Sequence, residues 1–172
     1  RFIVHADVYD AYRDAFIAEL ERQTVGDPTS DETDIGPLVS ADACETLDEQ
    51  VRKTVSMGGR RVTGARPMDR TGAFFEPGLL EDIPSGSPAA VVDLFGPVAL
   101  FSCVRSLGDA IDLANDHRYG LGSAIFTTDE KEIEHAVNHL DAGTTAVNQK
   151  VASTPELPFG GVKASGYGRE LA

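Results

Sequence analysis

Apolar residues along this chain follow two rhythms. Short runs with strand-like spacing are separated by stretches in which apolar residues recur every three or four positions. The opening "RFIVH" (residues 1–5) predicts a strand. Tyr9, Tyr12, Phe16 and Leu20 then fall at i, i+3, i+7 and i+11, one face of a helix. "VGDPTSDETDIGP" (residues 25–37) is a polar, turn-rich loop, and a second helix is expected from Ala41 to about Met57, stopped at Gly58–Gly59. "RRVTG" reads as a short strand, "PMDRTG" as a surface loop, and "AFFEPGLLEDI" as an extended segment broken at Pro77. "PVALFSCV" (residues 97–104) is a strong strand of apolar and β-branched residues.

The second half repeats the alternation. Leu107, Ala110, Ile111 and Ala114 make a helix face with Ser106 as N-cap. "LGSAIFTT" is a strand. Ile133, Ala136, Val137 and Leu140 make the next helix face after an acidic first turn at Asp129 and Glu130, with Gly143 as the stop. "TTAVN" is the last strand, and everything after Asn148 reads as loop. Strand–helix–strand–helix–strand from Pro97 to Asn148 implies two βαβ units. The fold class is therefore α/β, a mostly parallel sheet with helices on both faces. Ligands of such sheets bind beyond the carboxyl ends of the strands. The tail after Asn148 leaves such an end.

Length and charge narrow the function. The chain has 172 residues and a net charge of -13, with four lysines against sixteen aspartates. Nucleic acid and anionic membrane reward Lys and Arg, so neither is an expected partner. No apolar run approaches the ~20 residues of a membrane helix. The two cysteines, Cys44 and Cys103, do not make a disulfide framework, so a reducing, cytoplasmic setting and structural, buried thiols are expected. The chain opens at Arg1 and reads as a piece of something longer.

Few residue patterns suggest chemistry. His135 and His139 have a metal-ligand spacing, with Glu132 one turn earlier, but they lie opposite the apolar helix face and read as solvated surface; no metal is expected. His5 and His117 are isolated, and Asp31, Glu32 and Asp34 read as surface charge. "YGLGSA" holds G-x-G without the rest of a dinucleotide fingerprint and precedes a strand, so it reads as a turn. Two segments remain: "DLFGPVALF" (Asp93–Phe101) and "ELPFGGVKASGYGRE" (Glu156–Glu170). On composition alone they are a turn before a strand and a glycine-rich surface loop.

These two segments carry a resemblance. "FGPVALF" resembles the E-x-F-G-P turn of the NAD(P)-dependent aldehyde dehydrogenases, and "LPFGGVKASGYGREL" resembles their P-F-G-G-x-K-x-S-G-x-G-R-E signature. "AIDLANDHRYGLGSAIFTTD", "VGDPTSDETDIGPLVS" and "RFIVHADVYDAY" resemble further family segments in the same order, so the match runs end to end. Within the family, "PELPFGGVK" and "RFIVH" are most similar to the succinate-semialdehyde dehydrogenases.

The resemblance implies that residues 1–172 are a single, partial catalytic domain. The cofactor-binding domain, the nucleophilic cysteine and the general-base glutamate are expected upstream of Arg1, and the final family strand after Ala172. In the family mechanism the cysteine thiolate attacks the aldehyde, an oxyanion hole steadies the adduct, hydride leaves to the nicotinamide, and the glutamate activates water against the thioester. Neither Cys44 nor Cys103 matches the nucleophile, so the segment alone is expected to be inactive. The complete protein is expected to oxidise a small aldehyde with NAD or NADP and to form a homo-oligomer. The alternative is a non-catalytic remnant that serves in binding or assembly.

The same resemblance assigns roles. Asp93 matches the glutamate that accepts hydrogen bonds from the nicotinamide-side ribose, although aspartate is shorter by one C–C bond, about 1.5 Å, and Val92 replaces a usual acidic neighbour. Phe95 matches the aromatic packed near that ribose; a core Phe anchoring the turn is the competing reading. Ser153 matches a serine that holds the substrate's distal carboxylate in the semialdehyde subgroup, and Phe159 an aromatic of the substrate pocket. Asn148 is expected to tie down a strand end.

An Asp-rich, Lys-poor surface repels itself unless salt screens it, which points to a high-salt cytoplasm. The unfolding midpoint in denaturant is expected to rise steeply between low and molar salt; a salt-indifferent midpoint would contradict this.

Overall fold

The computed structural model describes residues 1–171. The chain divides into two units, residues 1–103 and the residues from Val104 onward. The fold class is α/β with a mainly parallel sheet, as the alternating rhythm predicts.

The first unit begins with β1 (Phe2–His5) and α1 (Ala6–Leu20), then α2 (Ala41–Ser56), β2 (Arg60–Thr63), β3 (Arg66–Pro67), β4 (Phe75–Glu76), β5 (Gly78–Glu81), α3 (Pro88–Val91) and β6 (Val98–Val104). Its main sheet has the order β1-β6-β5-β2. β5 and β6 run parallel, with Leu80 opposite Leu100, and β2 pairs antiparallel to β5, with Arg60 opposite Glu81. Pro77 separates β4 from β5, the expected break.

Neighbouring residues on a strand face opposite ways, and β5 and β6 use both directions. Leu80 and Leu100 join Leu47 and Val51 of α2, together with Phe75, Ala65 and Ala89, in the buried core. Phe101 faces the other side and is fully buried among aromatic rings. Its ring centroid lies 5.0 Å from those of Phe2 and Phe16, 5.8 Å from Tyr12 and 6.3 Å from Tyr9. The predicted face of α1 is thus the face that covers Phe101, and α1 and α2 lie on opposite faces of this sheet. Ser40 caps α2, accepting from the Ala43 N–H, and Lys53 sits in its last turn.

The cysteines depart from expectation. Cys44 is half-buried against the core, but Cys103 is exposed. It lies two residues beyond Phe101 on β6, past the aromatic cover.

Periodicity gives no hint of a buried charge, yet the sheet holds one. Glu81, only 2% exposed, ends β5 on the α1 side. It pairs with Arg60 directly across the ladder, and Arg13 Nε of α1 stands 3.9 Å from Oε1.

The second unit holds α4 (Leu107–Asn115), β7 (Tyr119–Gly120), β8 (Gly122–Ile125), α5 (Glu130–His139), β9 (Thr144–Val147) and β10 (Val162–Lys163). β8 and β9 pair in parallel around α5, which completes one expected βαβ unit. β6 and β8 belong to different ladders, so the other expected unit is not closed by strand pairing. "YGLGSA" is not a plain turn: Tyr119 and Gly120 form β7, paired antiparallel with β10 in the tail that read as loop.

α5 also ends earlier than expected, at His139 rather than near Gly143. The cause is a cap from a distant element. Asn115 Nδ2 donates to the His139 carbonyl at 2.7 Å, and Asn115 Oδ1 accepts from the Asp141 N–H at 2.8 Å. One side chain satisfies both sides of the helix end.

Removing one partner of a buried ion pair strands the other charge. Arg60→Ala is expected to destabilise the fold by about 3 kcal/mol, with Arg13 remaining near the carboxylate. Adding Glu81→Leu should restore most of the loss in chemical denaturation. Equal stability of the single and double variants would show that the pair is not desolvated.

Candidate functional site

The segment carrying Asp93 and Phe95 connects α3 to β6. Exposure alternates along it: Leu94 packs against the core, and Asp93 and Phe95 face outward on either side. Phe95 is 81% exposed. The core-anchor reading of Phe95 is therefore overturned, because Leu94 fills that role. A tight reversal comes next, with Gly96 N–H donating to Leu94 O at 2.9 Å and Val98 N–H to Gly96 O at 2.8 Å. Near this segment lies the start of β1. Asp93 is close enough to Arg1 for its charge to be felt there.

An exposed carboxylate beside an exposed aromatic ring suits a ribose. Aspartate offers acceptor oxygens only, enough for two hydroxyl donors, and the ring offers an apolar wall.

The second unit carries Ser153 and Phe159. Ser153 is exposed in the tail after β9, just before a turn closed by Leu157 N–H on Thr154 O at 3.3 Å. Phe159 is half-buried. Its backbone pairs with Glu170 in both directions, at 2.8 and 2.9 Å. The signature between them is a folded loop whose polar residues bind its own backbone and its neighbours. Arg169 Nη1 donates to the carbonyls of Gly161 at 2.9 Å and Gly168 at 2.6 Å. Ser165 Oγ accepts from the Gly120 N–H at 3.0 Å. Lys163 Nζ donates to Asn115 O at 2.7 Å and pairs with Asp141 at 3.0 Å.

Two glycines show why this loop needs them. A Cβ on Gly143 would collide with the Gly160 carbonyl, so the approach to β9 and the signature meet only without a side chain there. Gly166 has φ +104°, a conformation L side chains rarely adopt. The signature's glycines serve close packing and turning.

Asn148 does what the sequence suggested. Its Oδ1 accepts from the Thr127 N–H at 3.0 Å and its Nδ2 donates to Thr127 O at 2.9 Å, while its own N–H donates to Ile125 O at 2.8 Å. It locks the ends of β8 and β9 together. Sequence reasoning missed Lys163, Ser165 and Arg169 as loop braces, and Asn115 as a cap. The fixed order of K, S and R in the signature was visible, but their partners lie across the fold.

Cys44 is not set up as a nucleophile by its surroundings. Burial, followed by the charge of Asp48, pushes the Cys44 thiol up, the opposite of activation. Its Sγ lies 3.9 Å from Phe74 O. Among the described residues, no group of three or more His, Cys, Asp or Glu side chains is arranged to hold a metal, and no helix is long and apolar enough to cross a membrane.

The α/β scaffold, the outward Asp93–Phe95 segment and the braced signature are accounted for by one family. The aldehyde dehydrogenase family profile matches residues 1–172, and the chain belongs to that family. Among its relatives, the succinate-semialdehyde dehydrogenase [NADP(+)] of Mycobacterium leprae is 41% identical over 172 residues, all of this chain and 38% of that protein. The succinic semialdehyde dehydrogenase of Streptococcus pyogenes, solved with NADP+ as the cofactor, superposes with a TM-score of 0.95 at 35% identity, over 100% of this chain and 38% of that one. The betaine aldehyde dehydrogenase of Staphylococcus aureus, solved with NAD+, gives a TM-score of 0.92 at 28% identity, over 98% of this chain and 34% of that one. The chain thus spans less than two fifths of the relatives it matches.

If the side chains brace the signature, Arg169→Ala frees the carbonyls of Gly161 and Gly168. Amide hydrogen exchange at Phe159 and Glu170 is expected to quicken markedly while that of β8 and β9 is unchanged. Unaltered exchange at Phe159 would remove Arg169 from this role.

Proposed function

We propose that this chain is part of the catalytic domain of an NAD(P)-dependent aldehyde dehydrogenase, one that oxidises succinate semialdehyde to the acid. The observation that carries the reading is the outward pair Asp93–Phe95, held by Leu94 beside the start of β1. In the family pattern the nucleophilic cysteine precedes that strand by a few residues. A ribose-binding carboxylate near Arg1 suits that order. The semialdehyde assignment is supported by the relatives above.

In this reading Asp93 accepts the ribose hydroxyls and Phe95 packs beside the ring. Bound NAD(P) supplies the hydride acceptor. Ser153 donates to the distal carboxylate of the substrate, and Phe159, held by its bridge to Glu170, lines the aldehyde pocket. The nucleophile and the general base belong to the rest of the protein, so residues 1–172 alone are inactive. The complete protein is a cytoplasmic homo-oligomer.

A hydrogen bond to a charged group contributes about 1.5–3 kcal/mol. In the complete protein, Ser153→Ala is therefore expected to reduce the preference for succinate semialdehyde over acetaldehyde by about tenfold or more, read as the ratio of kcat/KM values. An unchanged ratio would remove Ser153 from substrate recognition. Activity of the 172-residue chain by itself would contradict the partial-domain reading.

A further inference from the structure

The exposed face of α5 carries a feature that aldehyde oxidation does not use. His135 and His139 are one turn apart, both exposed, with ring centroids 4.1 Å apart and planes inclined by 26°. They are the i, i+4 pair of one helix face. His139 Nδ1 lies 2.7 Å from the His135 carbonyl oxygen. A carbonyl only accepts, so this nitrogen carries the proton, and the lone pair is on Nε2. That is the arrangement of a metal-binding imidazole, whose second nitrogen donates to a backbone carbonyl and so fixes the tautomer and the ring direction.

We infer that His135 and His139 form a two-imidazole surface site for a borderline divalent transition-metal ion. Two neutral imidazoles suit Cu²⁺, Ni²⁺ and Zn²⁺, while Mg²⁺ and Ca²⁺ prefer oxygen donors. The rings are stacked rather than converged, so binding requires the His135 ring to turn about its broad final torsion while His139 keeps its bond to the His135 carbonyl. The carboxylate one turn back, Glu132, is held by the Thr127 hydroxyl, so water completes the coordination. The net charge of -13 favours accumulation of cations near the surface. The site is open, and its two ligands come from one helix. It needs no other element to form.

The test is calorimetric titration of the full 172-residue chain with NiCl₂ and, separately, CuCl₂ and MgCl₂. One Ni²⁺ per chain is expected, Cu²⁺ binding more tightly and Mg²⁺ giving no saturable heat. His135→Gln and His139→Gln should each weaken Ni²⁺ by about tenfold or more, because each removes the second arm of a chelate. Both side chains are exposed, so the variants should keep the native circular dichroism spectrum. A second readout locates the ion: Cu²⁺ should first broaden the amide NMR signals of residues 135–139. Unchanged Ni²⁺ affinity in both variants, or broadening centred on Cys103, His5 or His117, overturns the inference.

Discussion

Strand β6 is buried from both sides, and the first unit is organised around that constraint. Leu100 points into the core that α2 closes, and Phe101 points into the aromatic group that α1 closes. At its middle the strand has no solvent face, so the sequence there must be apolar; "ALF" is. The same requirement explains Glu81. It lies on the neighbouring strand on the α1 side, where a charge survives only because Arg60 and Arg13 converge on it. The segment before β6 inherits its position from the same burial. Leu94 is drawn into the core, and the residues on either side of it have only outward directions left.

The second unit is held differently. Its apolar core is small, with Ile111, Ala136 and Ala146 buried. Polar side chains tie its loops to strand and helix ends. Asn115 closes α5, Lys163 joins the end of α4 to Asp141, and Ser165 and Arg169 pin the glycine-rich loop. A hydrogen bond fixes direction more sharply than an apolar contact. The glycine-rich loop around Phe159 is fixed in that way.

This difference explains how far the sequence could be read. Periodicity is a local signal, and it located α1, α2, α4, α5 and the strands β6, β8 and β9 with small errors at their ends. It failed where the deciding partner is remote. The early end of α5 depends on Asn115, β10 exists because β7 lies alongside, and Glu81 can be buried only because two arginines from other elements reach it. The roles of Asp93, Phe95, Ser153 and Phe159 came from resemblance to a family. The residues alone suggested a turn and a loop. The structure adds that Asp93 and Phe95 face out and that Phe159 is braced. Cys103 shows a further limit: residue type suggested burial, but position along β6 decided exposure.

Asn148 closes the sheet before the tail begins. Its reciprocal bonds to Thr127 seal the last turn of backbone between β8 and β9. The exposed residues just after it, Ala152 and Ser153, can drift in sequence without breaking that lock, whereas the later signature stays tied to β7 through β10. Position 153 is exposed just beyond that lock, so a substitution there leaves the β8–β9 closure in place.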